Sequence, residues 1–383
     1  MAVEATTTPT PTELRNVDAA LARHGDFAQL WIDGMRRGDP LADAVVADGA
    51  SLVRRAIAHG IDSLDDPPAA IVELFAELDA TPPWLDLDAC DRAGVHLARH
   101  HRCYGLVLGA ASLLAGAQST VAGKPLTFTG RYATDAAVRS IEVGSWLLAV
   151  ATPGGLRRHG EGFEHTVRVR MIHANVRAGL SAHPDWNADA WGLPIPQPFM
   201  AFTLAEFCSV ALRAMHQLGV RYSEDELDDI RHLWRYVGHL VGVAEDFLPV
   251  TADDYARIES LYALTALGPD DDDREFVAAL SAFQAAELAR VVPAALSEPI
   301  INGLQRAFLG DVQADALAIP DNAWKRLPPL LSRVNRAGTA AHDACLSNGR
   351  ARRSARGLRV RRREFDELRA RYAVAHELVD DAG

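Results

Sequence analysis

The residues best placed to do chemistry lie between His165 and Arg177, in the run His-Thr-Val-Arg-Val-Arg-Met-Ile-His-Ala-Asn-Val-Arg. On a helix, Val169, Ile172, His173 and Val176 share one stripe, at spacings i, i+3, i+4 and i+7. The imidazole of His173 therefore falls in the middle of an apolar face, and a polar group buried there needs a partner. A hydrogen-bonding group of the core is one answer. A metal is the other, and the iron of a haem is commonly ligated by imidazole. Arg170 and Arg177 lie three before and four after His173, one turn away, where two guanidinium groups could pair with haem propionates.

Two further constellations stand out. His232 and His239 are seven apart, two turns along one helix face, too far apart to share a single ion. Spacing alone makes them a packing and hydrogen-bonding pair. Gly238 and Gly242 between and beyond them let the helix approach a neighbour or a flat ring closely. Arg139, Glu142 and Trp146 stand at i, i+3 and i+7 on a mostly apolar helix. The first two read as a local salt bridge. In a pocket, Glu142 could instead be a general base, with its pKa raised by desolvation or lowered by Arg139.

Helices must carry these side chains. Apolar residues recur with helical period over residues 13–36, 40–59, 68–79, 87–118, 133–151, 161–180, 198–219, 223–245, 251–267, 272–290, 294–309 and 321–347, with a weaker stretch at 362–377. Ser223 with Glu226 forms a capping box, Thr251 offers a similar cap, and Gly219 and Gly268 sit where helices should stop. No alternating run reaches strand length and no repeat of fixed period is present, so the fold expected is all-α. Residues 1–12 read as a flexible tail, 13–347 as one helical domain, and 348–383 as a basic C-terminal segment.

The 383 residues carry a formal charge of -12, which argues against a nucleic-acid binder. The four cysteines, Cys90, Cys103, Cys208 and Cys345, show no paired spacing, so neither a disulfide scaffold nor a zinc site is indicated. The N-terminus lacks the basic and apolar regions of a signal peptide, and the longest apolar run, Leu106 to Ala117, is short for a membrane span, so a cytoplasmic protein is expected. Trp186 to Pro198 reads as a long Pro-rich loop. Arg350 to Arg363 carries eight arginines in fourteen residues. That segment is solvated, pairs with the protein's own acidic surface, or makes peripheral contact with anionic lipid headgroups.

Taken in order, Arg170-x-x-His173-x-x-x-Arg177, the earlier Leu126-Thr127-Phe128-Thr129-Gly130-Arg131, and Leu233-Trp234-Arg235-Tyr236-Val237-Gly238-His239-x-x-Gly242 followed by Glu245-Asp246-Phe247-Leu248-Pro249 resemble the latex-clearing-protein family. This family of haem b oxygenases also includes the side-chain-cleaving oxygenase of mycophenolic acid biosynthesis. The resemblance runs from about Pro82 to Leu267. It implies a globin-like helical core with additional N- and C-terminal helices, haem b as cofactor and His173 as its proximal ligand. It also implies that Arg170 and Arg177 stand beside the haem, that His232 and His239 lie near its cavity, and that Arg139 lies on the distal helix.

The chain departs from the rubber-cleaving pattern. Where those members carry a Lys-Thr pair, it has Glu142 and Val143, and Asp135 is the one acidic residue between Leu106 and Val138, where they place a distal Glu. The expectation is a haem b-dependent oxygenase that uses dioxygen on a hydrophobic, isoprenoid-like small molecule. It would cleave a C=C bond or insert oxygen in a related way, with Glu142 in place of the distal lysine. A haem-based gas sensor or haem-binding protein without turnover is the alternative, and a helical protein with no cofactor is the third reading.

Overall fold

The structure is a computed structural model and describes residues 10–48, 50–128, 136–345 and 348–374. Among them every regular element is a helix, and the one β-bridge, Ser119 with Gly268, is isolated. The all-α expectation holds. Five helices lead in: α1 (Val17–His24), α2 (Asp26–Gly34), α3 (Pro40–Asp48), α4 (Ala50–His59) and α5 (Ala69–Asp79). The run expected at 13–36 is broken at Gly25, whose φ of 54° ends α1 and admits the turn into α2.

The central helices are α6 (Leu87–Ala98), α7 (His101–Val107), α8 (Leu113–Gly116), α9 (Thr120–Phe128), α10 (Ala136–Val150), α11 (Glu161–Ser181), α12 (Ala188–Trp191), α13 (Gln197–Ala205), α14 (Ala211–Gln217), α15 (Glu224–Leu240) and α16 (Ala252–Thr265). Then come α17 (Asp271–Leu288), α18 (Ala294–Leu309), α19 (Asp311–Ala316), α20 (Leu327–Cys345) and α21 (Gly349–Arg371). Two π-helical turns, Leu108–Ser112 and Glu206–Val210, interrupt the runs α7–α8 and α13–α14 and pack against each other. The sequence pattern missed α9, which contains Pro125, and the short α19.

Local chemistry fixes many of the starts. Ser223 and Glu226 form the expected capping box of α15, and Thr251 with Asp254 forms another on α16. The acidic turn before α17 has the same job: Asp270 accepts from the amide of Asp273, whose carboxylate accepts from the amide of Asp270. One large core runs through the molecule, with Trp31, Phe75, Phe163, Phe207, Trp234 and Tyr262 among its buried side chains. A smaller one joins α8, α17 and α19 through Leu114, Phe276, Leu280, Ala314 and Leu317.

The C-terminal segment is a helix, α21, which starts well before the weaker stretch expected at 362–377. It packs on α6, α7 and α10, with Phe365 against Gly144 and Gly357 against the carbonyl of Ala98. A side chain at 357 would collide with that carbonyl. Gly357→Val is therefore expected to lower stability by about 1–3 kcal/mol in thermal or urea unfolding, with α21 becoming the first site of proteolysis. A midpoint equal to wild type would mean that α21 does not dock there. At the other end, residues 1–9 of the expected N-terminal tail lie outside the described residues. Thr12 and Glu13 are tied down, their amides donating to the carbonyls of Asp189 and Ala190.

Candidate functional site

His173 stands past the middle of α11, the 21-residue helix that starts after Gly160 with Glu161 and Glu164 favourably placed in its first turn. The residue lies deep in the protein, yet part of its surface remains accessible. Its Nδ1 is buried and has no hydrogen-bond partner. Burial first, and the positive charge of Arg177 second, push its pKa down to about 4. At neutral pH the ring is uncharged and has a lone pair to offer.

The two flanking arginines are not where the propionate reading expected them. Arg170 Nε and Nη2 clamp both carboxylate oxygens of Asp39, at 2.6 and 3.0 Å, while Nη1 reaches Glu77 at 2.7 Å. Arg170 and Asp39 are only 2% and 3% exposed, so this is a buried ion pair that ties α11 to the start of α3 and to α5. Arg177 Nε donates to both oxygens of Asp43, and its Nη1 donates to the carbonyl of Ile195 at 2.9 Å. Of the two guanidinium groups, Arg177 alone keeps a buried amino group, Nη2, without a partner. The role of Arg170 is thus to anchor its own helix. Arg170→Lys is expected to cost about 2 kcal/mol of stability, because an ammonium cannot reproduce the two-point clamp on Asp39 while also reaching Glu77. Urea unfolding checks this, and an unchanged midpoint would argue against the pair.

Helix α10 runs antiparallel beside α11. Gly162 packs on the backbone of Ala149 and Val150, and Trp146 Nε1 donates to Thr166 Oγ1 at 2.9 Å. Stepping seven residues outward from that bond on both helices brings Arg139 level with His173, and stepping four brings Glu142 level with Arg170. Arg139 and Glu142 thus lie on α10, the helix packed beside α11. Neither is without a partner. Of the motif Leu126 to Arg131, residues 129–131 lie outside the described residues.

The histidine pair surrounds Trp84. The ring of His232 meets it edge-on at 5.8 Å and that of His239 at 6.1 Å, while Arg235 covers its face at 3.9 Å. His232 Nε2 accepts from the amide of Asp86 at 2.9 Å, just before α6. That bond gives His232 a structural task in place of the cofactor contact expected of it. His239 stacks beside Tyr236 and feels the charges of Glu77 and Arg170, which puts it on the α11 side of the pair. Burial lowers the pKa of both rings.

One residue with functional character escaped the sequence reading. Glu206 opens the second π-turn and is buried, and burial alone raises its pKa to about 8. Its carboxyl lies against Gly116, where any side chain would displace it. The same turn aims Phe207 at Trp146 and Trp234, at centroid distances of 5.7 and 5.5 Å. π-turns of this kind recur at functional sites. Ser112, in the facing π-turn, likewise has a buried hydroxyl with no partner.

Among the described residues no group of three or more His, Cys, Asp or Glu side chains could cage a metal ion. Two clefts outlined by described residues, one beside Phe27 and Arg257 and one along α21 from Leu358 to Ala370, do not border His173. What the fold presents is an all-helical scaffold with a neutral imidazole on a central helix, its buried Nδ1 without a partner, and Arg139 and Glu142 on the neighbouring helix α10.

The chain belongs to the family described as ER-bound oxygenase mpaB/B′/Rubber oxygenase, catalytic domain, whose model matches residues 98–342. The match begins after Pro82 and runs well past Leu267, into α20, so more of the C-terminal half belongs to it than the motifs indicated. A rubber oxygenase of Streptomyces sp. (strain K30) is 25% identical over 257 residues, 66% of this chain and 61% of that protein, so the chain spans less than two thirds of its relative. In fold the chain is similar to latex clearing protein LCP in the closed state, with a TM-score of 0.64 at 21% identity, covering 80% of this chain and 85% of that one.

Proposed function

We propose that this member of an oxygenase family is a haem b-dependent oxygenase in which His173 would hold the iron. One observation carries the reading: on the neutral ring of His173 a buried Nδ1 has no hydrogen-bond partner, in a chain whose described residues offer no multidentate metal cage. A metal held at a single imidazole must bring its remaining ligands with it, as a porphyrin does. When bound, the haem would supply activation of dioxygen, chemistry that side chains cannot provide.

The protein's own groups do the rest. His173 offers a lone pair for which protons do not compete at neutral pH. The Arg170–Asp39–Glu77 cluster fixes the helix that presents it. Arg177 Nη2, one turn along, is the donor in this pair left for an anionic group of the cofactor. On the neighbouring helix, Arg139 would hold a water and Glu142 would take a proton from the reacting substrate. The substrate class is a hydrophobic, isoprenoid-like molecule. Oxidative cleavage adds one dioxygen across a C=C bond to give two carbonyl ends, with both oxygen atoms retained.

The test is incubation of the haem-reconstituted protein with unsaturated isoprenoids under ¹⁸O₂. Products with one labelled oxygen on each new carbonyl, read by mass spectrometry before exchange, support the proposal. A reconstituted protein that consumes no dioxygen with any isoprenoid or unsaturated lipid overturns it.

A further inference from the structure

We propose that the α20–α21 hairpin is a peripheral docking surface for anionic phospholipid bilayers. Residues 327–363 hold ten arginines against a single acid, Asp343, a local charge of +9 (ten minus one) in a chain whose total is -12. Such a separation of charge makes one face of an acidic protein attractive to polyanions.

The structure divides these arginines into two sets. Arg350 pairs with Glu226, Arg362 with Glu161 and Arg363 with Glu367, while Arg361 donates to the carbonyl of Ala151 and the hydroxyl of Thr152. These hold α21 on the protein. Arg352, Arg356 and Arg359, at i, i+4 and i+7, are exposed on the outer face and make no ion pair or hydrogen bond with the described residues. On α20, Arg333 and Arg336 are likewise exposed and unpaired.

Arg353 joins the two helices by donating to the carbonyl of Thr339. Five exposed arginines without a partner among the described residues, Arg333, Arg336, Arg352, Arg356 and Arg359, add like charge to this one region, and an external polyanion relieves their repulsion.

An apolar ridge on the same hairpin decides which polyanion. Leu330, Val334 and Ala337 follow each other at i, i+4 and i+7 on the exposed side of α20, with Leu330 and Val334 left 56% and 60% exposed. A nucleic-acid surface has no use for such a ridge. A bilayer interface takes both features, headgroup phosphates against the arginines and the acyl boundary against the aliphatic side chains. This inference is independent of the haem reading.

Flotation of the full chain with vesicles tests it. Binding is expected to vesicles of equal parts phosphatidylcholine and phosphatidylglycerol, not to phosphatidylcholine alone, and should weaken steeply as salt rises. The triple variant Arg352→Gln/Arg356→Gln/Arg359→Gln removes exposed, unpaired groups and should keep the wild-type melting temperature. Its vesicle affinity should fall at least tenfold. Leu330→Asp/Val334→Asp should also weaken binding, even at low salt. Equal binding to neutral vesicles, no binding to anionic ones, an unaffected triple variant, or tighter binding to duplex DNA than to anionic vesicles would each overturn the proposal.

Discussion

His173→Ala is expected to leave a folded protein that no longer retains haem. After reconstitution and desalting, Soret absorbance per chain should fall at least tenfold below wild type, while the far-ultraviolet helical signal is unchanged. The loss should be this large because no neighbouring side chain can take over. The described residues form no cluster of metal ligands, and of the histidine pair on α15, His232 is committed to the amide of Asp86 and His239 packs edge-on against Trp84. A pH series sharpens the test. Burial holds the ring's pKa down to about 4, so haem retention by the wild type should be flat from neutrality to about pH 5 and fall progressively only below about pH 4.

The cofactor-free protein gives a second, independent readout. A histidine whose folded-state pKa is depressed contributes stability above its unfolded value of 6.5, and that contribution is lost as pH falls toward 4. Over that window the wild type should lose about 3 kcal/mol from this group, at about 1.4 kcal/mol per pK unit. The alanine variant should lack this component. Full haem occupancy in His173→Ala would end the ligand assignment. A large loss of stability at pH 7 would show instead that His173 is a bonded core residue.

What could be read from the chain in advance follows the range of the interactions. The stripe Val169, Ile172, His173, Val176 and the caps at Ser223 and Thr251 are local, because each is set by spacings of a few residues, and the structure keeps them. The carboxylates that hold Arg170 and Arg177 come from Asp39, Glu77 and Asp43, some 90 to 135 residues earlier in the chain, and nothing near either arginine points to them. With that information missing, haem propionates were the natural partners to assume. Glu206 was hidden for a different reason. It interrupts the apolar run from Phe199 to Val210, and a regular helix gives no indication that a π-turn will set it against Gly116. In α21 the dense arginines obscured the inward stripe of Ser354, Gly357, Arg361 and Phe365 that docks the helix.

The hidden residue leads to the second large effect, which has the opposite sign from that at His173. The pKa of Glu206 is raised by burial from its ordinary value of 4.5 to about 8. Between those values the folded protein holds a proton that the unfolded chain has released. Stability therefore falls as pH rises through that window and is flat above it. At about 1.4 kcal/mol per pK unit the contribution is on the order of 4 kcal/mol.

Glu206→Gln has the same shape and no charge to bury. At pH 5 it should match wild type within about 1 kcal/mol, whereas at pH 9 it should be more stable by several kcal/mol in urea unfolding. Between pH 4.5 and 6.5 the two buried groups oppose each other in the wild type, so only the difference between variant and wild type isolates either one. Above pH 6.5 Glu206 acts alone, and the comparison is cleanest there. A glutamine variant that is less stable than wild type at pH 9 would mean that the carboxylate is ionised and has found a cation. The π-turn would then be holding an ion pair instead of a neutral acid.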